Sequence, residues 1–163
     1  MAKTWDEAVK TALEIYLHRD NYAYFYGAKG QVLTDDLMTY LWNAEPKYFA
    51  KYNETDRKRI FNYSRGKIGG DCSWFVGKCI GDMTWSGGLW SKCYDINPDV
   101  FKGVAGSVVY KPGHIGIDIG YGFYLHTPSE LHTVELGRFK EWTVDWNWCG
   151  KHSYIDYNGA DNR

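Results

Sequence analysis

Residues 114–119 read His-Ile-Gly-Ile-Asp-Ile, a strict alternation that an extended strand turns into two different faces. Ile115, Ile117 and Ile119 fall on one side, and His114, Gly116 and Asp118 on the other. Gly120-Tyr121-Gly122 and then Phe123-Tyr124-Leu125-His126 follow, so the segment is predicted to be a β-hairpin. With a two-residue loop, His126 falls on the face opposite His114. A three-residue loop pairs 119 with 123 and 116 with 126, and His126 becomes a same-face diagonal neighbour of His114. The isoleucines read as core, which points His114 away from it. Two imidazoles so placed suit a general base and its orienting partner; two unrelated polar histidines on an exposed face is the alternative.

The rest of the chain divides around that hairpin. A capping-box pattern at Thr4 and Glu7, followed by Trp5, Ala8, Val9, Ala12, Leu13 and Tyr16 at helical spacing, predicts a helix over 5–18. An aromatic segment follows at 22–27. Residues 31–65 read as a helical insertion, with Thr34 capping one helix, Pro46 stopping or restarting it, and Asn53 or Thr55 capping a third. The stretch 82–105, with Gly87-Gly88, Pro98 and Gly103, is predicted to be a long turn-rich loop carrying Trp85 and Trp90. Further strands are expected at 107–110, 133–136 and 153–157. Helices first and strands later predict a single α+β domain with a mainly antiparallel sheet.

The second chemical feature is Gly69-Gly70-Asp71-Cys72-Ser73-Trp74-Phe75-Val76 and the residues through Gly81. Asp71 is a good N-cap, and Phe75, Val76, Cys79 and Ile80 form the buried stripe of a short helix. Cys72 then sits in its first turn, where free N–H groups and the helix dipole favour a thiolate, the form that acts as nucleophile. A buried structural cysteine is the plainer alternative. Cys79, on the same helix, reads as core.

Composition removes several function classes. Net charge is −1 over 163 residues, with no basic face for nucleic acid or an anionic membrane. No signal-peptide pattern or spanning segment is visible, so the chain is expected to be made in the cytoplasm and to act elsewhere only after release. The four cysteines are expected to be reduced thiols. Cys149-Gly150-Lys151-His152 has a C-x-x-H look, but a closed zinc site needs about four ligands and only Cys93 is a ready third, so neither metal nor cofactor is expected. Eight tryptophans and 14 tyrosines are more than a core of this size needs, and some are expected to line a groove.

Asp71-Cys72-Ser73, then Gly106-Ser107-Val108-Val109-Tyr110, His114-Ile115-Gly116-Ile117-Asp118-Ile119-Gly120 and Gly122-Phe123-Tyr124-Leu125-His126, together resemble the NlpC-type family of papain-like cell-wall cysteine peptidases. The likeness spans about residues 20–157 and keeps the family's twelve-residue step from histidine to histidine. Tyr24-Phe25-Tyr26-Gly27 and the tail from Trp142 to Ile155 are similar to segments of the family's phage-associated branch. By this resemblance Cys72 is the nucleophile, His114 the general base and acid, and His126 the residue that orients His114. Tyr24 then lies beside the cysteine and helps hold substrate, while Asp71 and Ser73 meet the free amine of a stem peptide. The resemblance implies a papain-like fold and a monomeric enzyme cutting peptidoglycan between D-isoglutamate and the diamino acid, as a phage or prophage endolysin. The alternatives are an amidase cutting between glycan and L-Ala, and a non-catalytic wall-binding or virion module on the same fold. The chain departs from the family pattern at Trp74, where glycine is usual, at Ser107, where aspartate is usual, and in the 31–65 insertion.

Overall fold

In the computed structural model, which describes residues 2–161, a short strand β1 (Lys3–Thr4) leads into helix α1 (Trp5–Leu17) through the expected capping box. The Glu7 carboxylate accepts from the Thr4 N–H at 3.0 Å and fixes the helix start. Ala8, Val9, Ala12 and Ile15 form its buried stripe. A 3₁₀ turn at Arg19–Asn21 ends in β2 (Tyr22–Tyr24), followed by β3 (Lys29–Val32).

The 31–65 segment carries three helices: α2 (Asp35–Ala44), α3 (Pro46–Phe49) and α4 (Glu54–Ser64). Thr34 caps α2 through the Leu37 N–H, and Pro46 opens α3 where its missing N–H costs nothing. Asn53, not Thr55, caps α4 by a reciprocal pair of bonds with Asp56 at 2.8 and 3.1 Å. These helices bury Met38, Phe49 and Ile60 against Ala23, Phe25 and Leu33, a cluster distinct from the main core.

After β4 (Ile68–Gly70) comes α5 (Cys72–Ile80), capped by Asp71 and ended by Gly81 in the left-handed conformation. The predicted 82–105 loop is instead α6 (Ser86–Ser91), β5 (Cys93–Asn97) and a 3₁₀ turn at Val100–Lys102. Burial of Leu89 and pairing of β5 along the later strand Trp148–His152 outweigh the helix-breaking Gly87-Gly88 pair. The strands β6 (Val108–Lys111), β7 (His114–Gly120) and β8 (Phe123–His126) lie close to the expected places. Of the later ones, β9 (Glu135–Arg138) starts two residues beyond the expected place, β10 (Trp148–His152) is a strand the spacing does not predict, and β11 (Ile155–Asp156) lies within the expected 153–157. Val134 is drawn into the core, and residues 153–154 turn the chain between β10 and β11.

The main sheet is six-stranded and antiparallel throughout, in the order β5-β10-β6-β7-β8-β9. Among the described residues, parallel pairing is confined to two small ladders, β1 with β11 and β2 with β4. The architecture is therefore α+β with mostly antiparallel sheets. α1 and α5 pack on one face of the sheet, where Ile115, Ile117 and Leu125 are fully buried. Removing each aliphatic side chain from water contributes about 1.5–3 kcal/mol.

The hairpin turn is tighter than predicted. Ile117 pairs with Leu125 and Asp118 with Tyr124, as the expected register requires, but Gly120 rather than Ile119 lies opposite Phe123. An irregularity between Asp118 and Gly120 absorbs the extra residue, so the register that joins the two histidines survives. The face of His114, Gly116 and Asp118 is not exposed. Val100, Val109, Tyr124, Phe139, Trp146 and Cys149 form a second small core over it. No helix among the described residues is long and apolar enough to cross a membrane.

Candidate active site

Cys72 is the first residue of α5, with Asp71 immediately before it. The Asp71 Oδ1 accepts from the Trp74 N–H at 2.9 Å and from the Ser73 hydroxyl at 2.7 Å. Both bonds hold the helix start rigid, and with its proton committed to Asp71 the Ser73 oxygen offers only lone pairs to its surroundings. β4 brings the chain to this point by pairing with β2, Tyr24 opposite Gly70. A Cβ on Gly70 would lie 2.3 Å from the Trp74 ring, so glycine is what lets that indole lie flat against the loop. Trp74 thus has a packing reason.

The backbone N–H of Ile115, the residue next to His114, acts on the Cys72 thiol and favours its ionised form. That N–H and those of Cys72 and Ser73 favour the thiolate, as expected for a helix start. Burial, and after it the Asp71 carboxylate, outweigh them and push the thiol up to about 12 from 9.0. The expectation of a thiolate favoured in the resting protein is corrected: desolvation at a 7 % exposed residue exceeds the pull of three N–H groups.

His114 opens β7 and His126 ends β8, and their rings meet through Nε2 of His114 and Nδ1 of His126 at 2.8 Å. The bond leaves Nδ1 of His114 as the ring nitrogen not taken up by His126. When His114 is neutral with that nitrogen unprotonated, its Nε2–H donates to His126. Burial lowers His114 to about 4, with Lys111 adding to the shift, and lowers His126 to about 3, with His114 and His132 adding to it. Thiol and imidazoles are therefore all neutral at pH 7. His132 is paired with Glu135 at 2.6 Å.

One neighbour of this pair carries no periodic or capping signal in the sequence. The Trp146 indole stacks on the His114 ring at 5.1 Å and 9°, and meets the His126 ring edge-on at 6.0 Å. Gly116 makes room, since a Cβ there would lie 3.1 Å from the indole. Trp146 stands 32 residues beyond His114, in irregular chain, where no period or cap points to it.

Tyr24 packs in the same core cluster as Cys72 and is 6 % exposed. Burial, and after it the neighbouring Tyr48 and Cys72 groups, holds its phenol proton well above the usual range. Asp71 and Ser73 line a cavity of about 310 Å³, with Lys29, Trp74, Met83, Thr84 and Trp85 as its other walls. Lys29 enters because β3 pairs it with Gly70. The cavity's two acceptors and its ammonium stand beside an exposed tryptophan, so its walls suit a zwitterionic or amide-rich ligand.

The remaining cysteines stand apart from this group: Cys79 and Cys149 are buried and Cys93 half-buried, all as free thiols. No protein-family model matches the chain, and no curated protein matches it.

Proposed function

We propose that the chain is a cysteine peptidase of the papain-like NlpC type that hydrolyses stem peptides of bacterial peptidoglycan, between D-isoglutamate and the diamino acid. The observation that carries the reading is the His114–His126 bond of 2.8 Å, made from the strand on which the Cys72 helix packs. A nucleophile, a base and an orienting partner are the parts that acyl transfer requires.

The chemistry follows from the protonation states. His114, neutral at pH 7, takes the Cys72 proton at Nδ1 as the sulfur attacks the peptide carbonyl, so thiolate forms with the attack rather than before it. The Cys72 backbone N–H at the helix start supports the developing oxyanion. The C–N bond breaks, His114 returns its proton to the leaving amine, and a thioester remains on Cys72. Water, deprotonated by His114, then releases the acid. His126 accepts the His114 Nε2–H throughout and steadies the imidazolium, with the Trp146 face stacked on it.

Asp71 and Ser73 present acceptors where a free stem-peptide amine can dock, and Lys29 across the cavity suits a stem-peptide carboxylate. A phage or prophage endolysin, released to the wall after synthesis, is the biological setting that fits this substrate. Digestion of several purified peptidoglycans, followed by mass spectrometry of the muropeptides, tests the reading. New N-termini on the diamino acid support it. Release of intact stem peptides from the glycan assigns an amidase instead, and an unchanged muropeptide profile with every wall type refutes hydrolysis.

A further inference from the structure

A second cavity, of about 540 Å³, adjoins the one at Asp71 and Ser73, and none of the steps above uses it. Trp74 lines both. A Cβ on Gly70 would lie 2.3 Å from one edge of this indole, and one on Gly30 would lie 2.8 Å from its Nε1. The ring therefore runs from the residue before Asp71 to Gly30, which lines the second cavity but not the first. Trp74 is 9 % exposed, and its indole N–H meets no acceptor among the described residues. A buried donor left without a partner is costly, so one held at a cavity marks a place for a ligand's carbonyl.

The other walls are mixed in kind. Ile15 of α1, Tyr22 of β2 and Ile68 of β4 give an apolar floor, with the Tyr22 ring 5.9 Å from the Trp74 ring. Thr11 and Glu14 of α1, His18 just after it and Lys78 of α5 supply polar groups. The His18 Nδ1 lies 2.9 Å from the Glu14 carbonyl oxygen, so in the neutral ring Nδ1 donates and Nε2 is left to accept. Neither Glu14 nor Lys78 is held in a salt bridge among the described residues. An apolar floor, donors and acceptors around it and a waiting N–H fit an N-acetylated sugar. Its C–H face meets the floor, its hydroxyls the polar groups and its acetamido carbonyl the Trp74 N–H.

We propose that this cavity binds the N-acetyl sugar that carries the stem peptide, so that the enzyme takes stem peptides still joined to the glycan. That sugar is linked through its lactyl carbonyl to the very nitrogen placed at Asp71 and Ser73, and the two cavities meet at Trp74. In a glycan-linked stem this nitrogen is an amide, whose N–H donates to the same acceptors as a free amine. The identity of the sugar rests on the peptidase reading; the cavity and its unpartnered N–H do not.

The experiment titrates isotope-labelled protein with L-Ala-D-Glu and with its N-acetylmuramyl form, following the indole N–H signals by NMR. Trp74→Phe assigns the Trp74 signal as the one that disappears. The N-acetylmuramyl form should bind about tenfold tighter than the bare dipeptide, the worth of about one net hydrogen bond. It should move the Trp74 indole proton downfield, and the bare dipeptide should not. Glu14→Ala and His18→Ala, both at exposed positions, should each lower the ratio of the two affinities severalfold. A Trp74 signal that the N-acetylmuramyl form leaves in place overturns the proposal. So does equal affinity for the two probes, a ratio that both variants keep, or failure of both probes to bind. If the muropeptide profile of every wall type stays unchanged while the N-acetylmuramyl form still shifts Trp74, the peptidase reading fails and the sugar site stands.

Discussion

Replacing Asp71 by Asn tests why the Cys72 thiol is held so high. Burial is the larger cause and the Asp71 charge the next, together taking the thiol from 9.0 to about 12. At pH 7 that lowers the thiolate fraction from about one in a hundred to about one in a hundred thousand. Adjacent side chains of this kind lie about 6 Å apart, where a unit charge at an effective dielectric of about 20 is worth roughly 1–3 kcal/mol. Asp71 is only half-buried, so solvent screening favours the lower end, about one pKa unit. Asn caps a helix as well as Asp does, and its side-chain oxygen can accept the same Trp74 and Ser73 bonds, so α5 should stay intact. Asp71→Asn should then raise the second-order rate of iodoacetamide alkylation at Cys72 about tenfold at pH 8, in proportion to thiolate. Peptide mapping by mass spectrometry separates Cys72 from half-buried Cys93, whose rate should not change and which serves as the internal control. The assay needs no substrate, so it stands apart from any role of Asp71 in binding. An unchanged or slower rate at Cys72, with the thermal midpoint preserved, would refute the electrostatic argument.

Cys72→Ala and Cys72→Ser should fold with wild-type circular dichroism and lose all lytic activity, while metal chelators leave the wild type active; full activity of Cys72→Ala on purified peptidoglycan contradicts the nucleophile assignment. His126→Ala should lower kcat strongly, whereas His126→Asn or Gln should keep part of it, because an amide oxygen can accept the His114 Nε2–H across the 2.8 Å gap. Trp146→Ala empties a site that is 4 % exposed and should cost about 3–5 kcal/mol in chemical denaturation, with kcat falling further than stability explains. Asp118, 4 % exposed, is raised by burial from 3.8 to about 7, so its stabilising contribution is full below 3.8 and lost as pH rises through about 7. His114 and His126 are lowered, so theirs is full above 6.5 and lost as pH falls toward 4. Asp118→Asn keeps an acceptor for the Gly120 N–H and should gain thermal midpoint over wild type as pH rises from 4 to 8; parallel curves count against the burial argument.

The sequence was most legible where one local signal sufficed. Thr4 with Glu7, Thr34, Asn53 and Asp71 each mark a helix start because capping is decided within four residues. The alternation at 114–119 settled which residues share a face, since a strand's period of two leaves no freedom. The hairpin register joining His114 to His126 was readable for the same reason, although the turn closed one residue tighter than expected. β5 and β10 were not foreseen because these strands exist only as partners of others. β5 has no pattern of its own until β10 lies beside it, and β10 draws its bonds from both β5 and β6.

What only the tertiary structure decided is the surroundings of the reactive groups. The spacing of residues puts Cys72 at a helix start, but the thiol's proton is held by burial, which depends on everything packed around it. Trp146 reaches His114, and Glu130 reaches Tyr48, Tyr52 and Tyr26, across 32 to 104 residues of chain. Contacts that distant leave no periodicity in either partner. The sequence by itself determined which side chains could do chemistry, because that is a property of residue type and local backbone. Their protonation and orientation belong to the fold, because desolvation and hydrogen-bond direction are set by neighbours that only folding brings near.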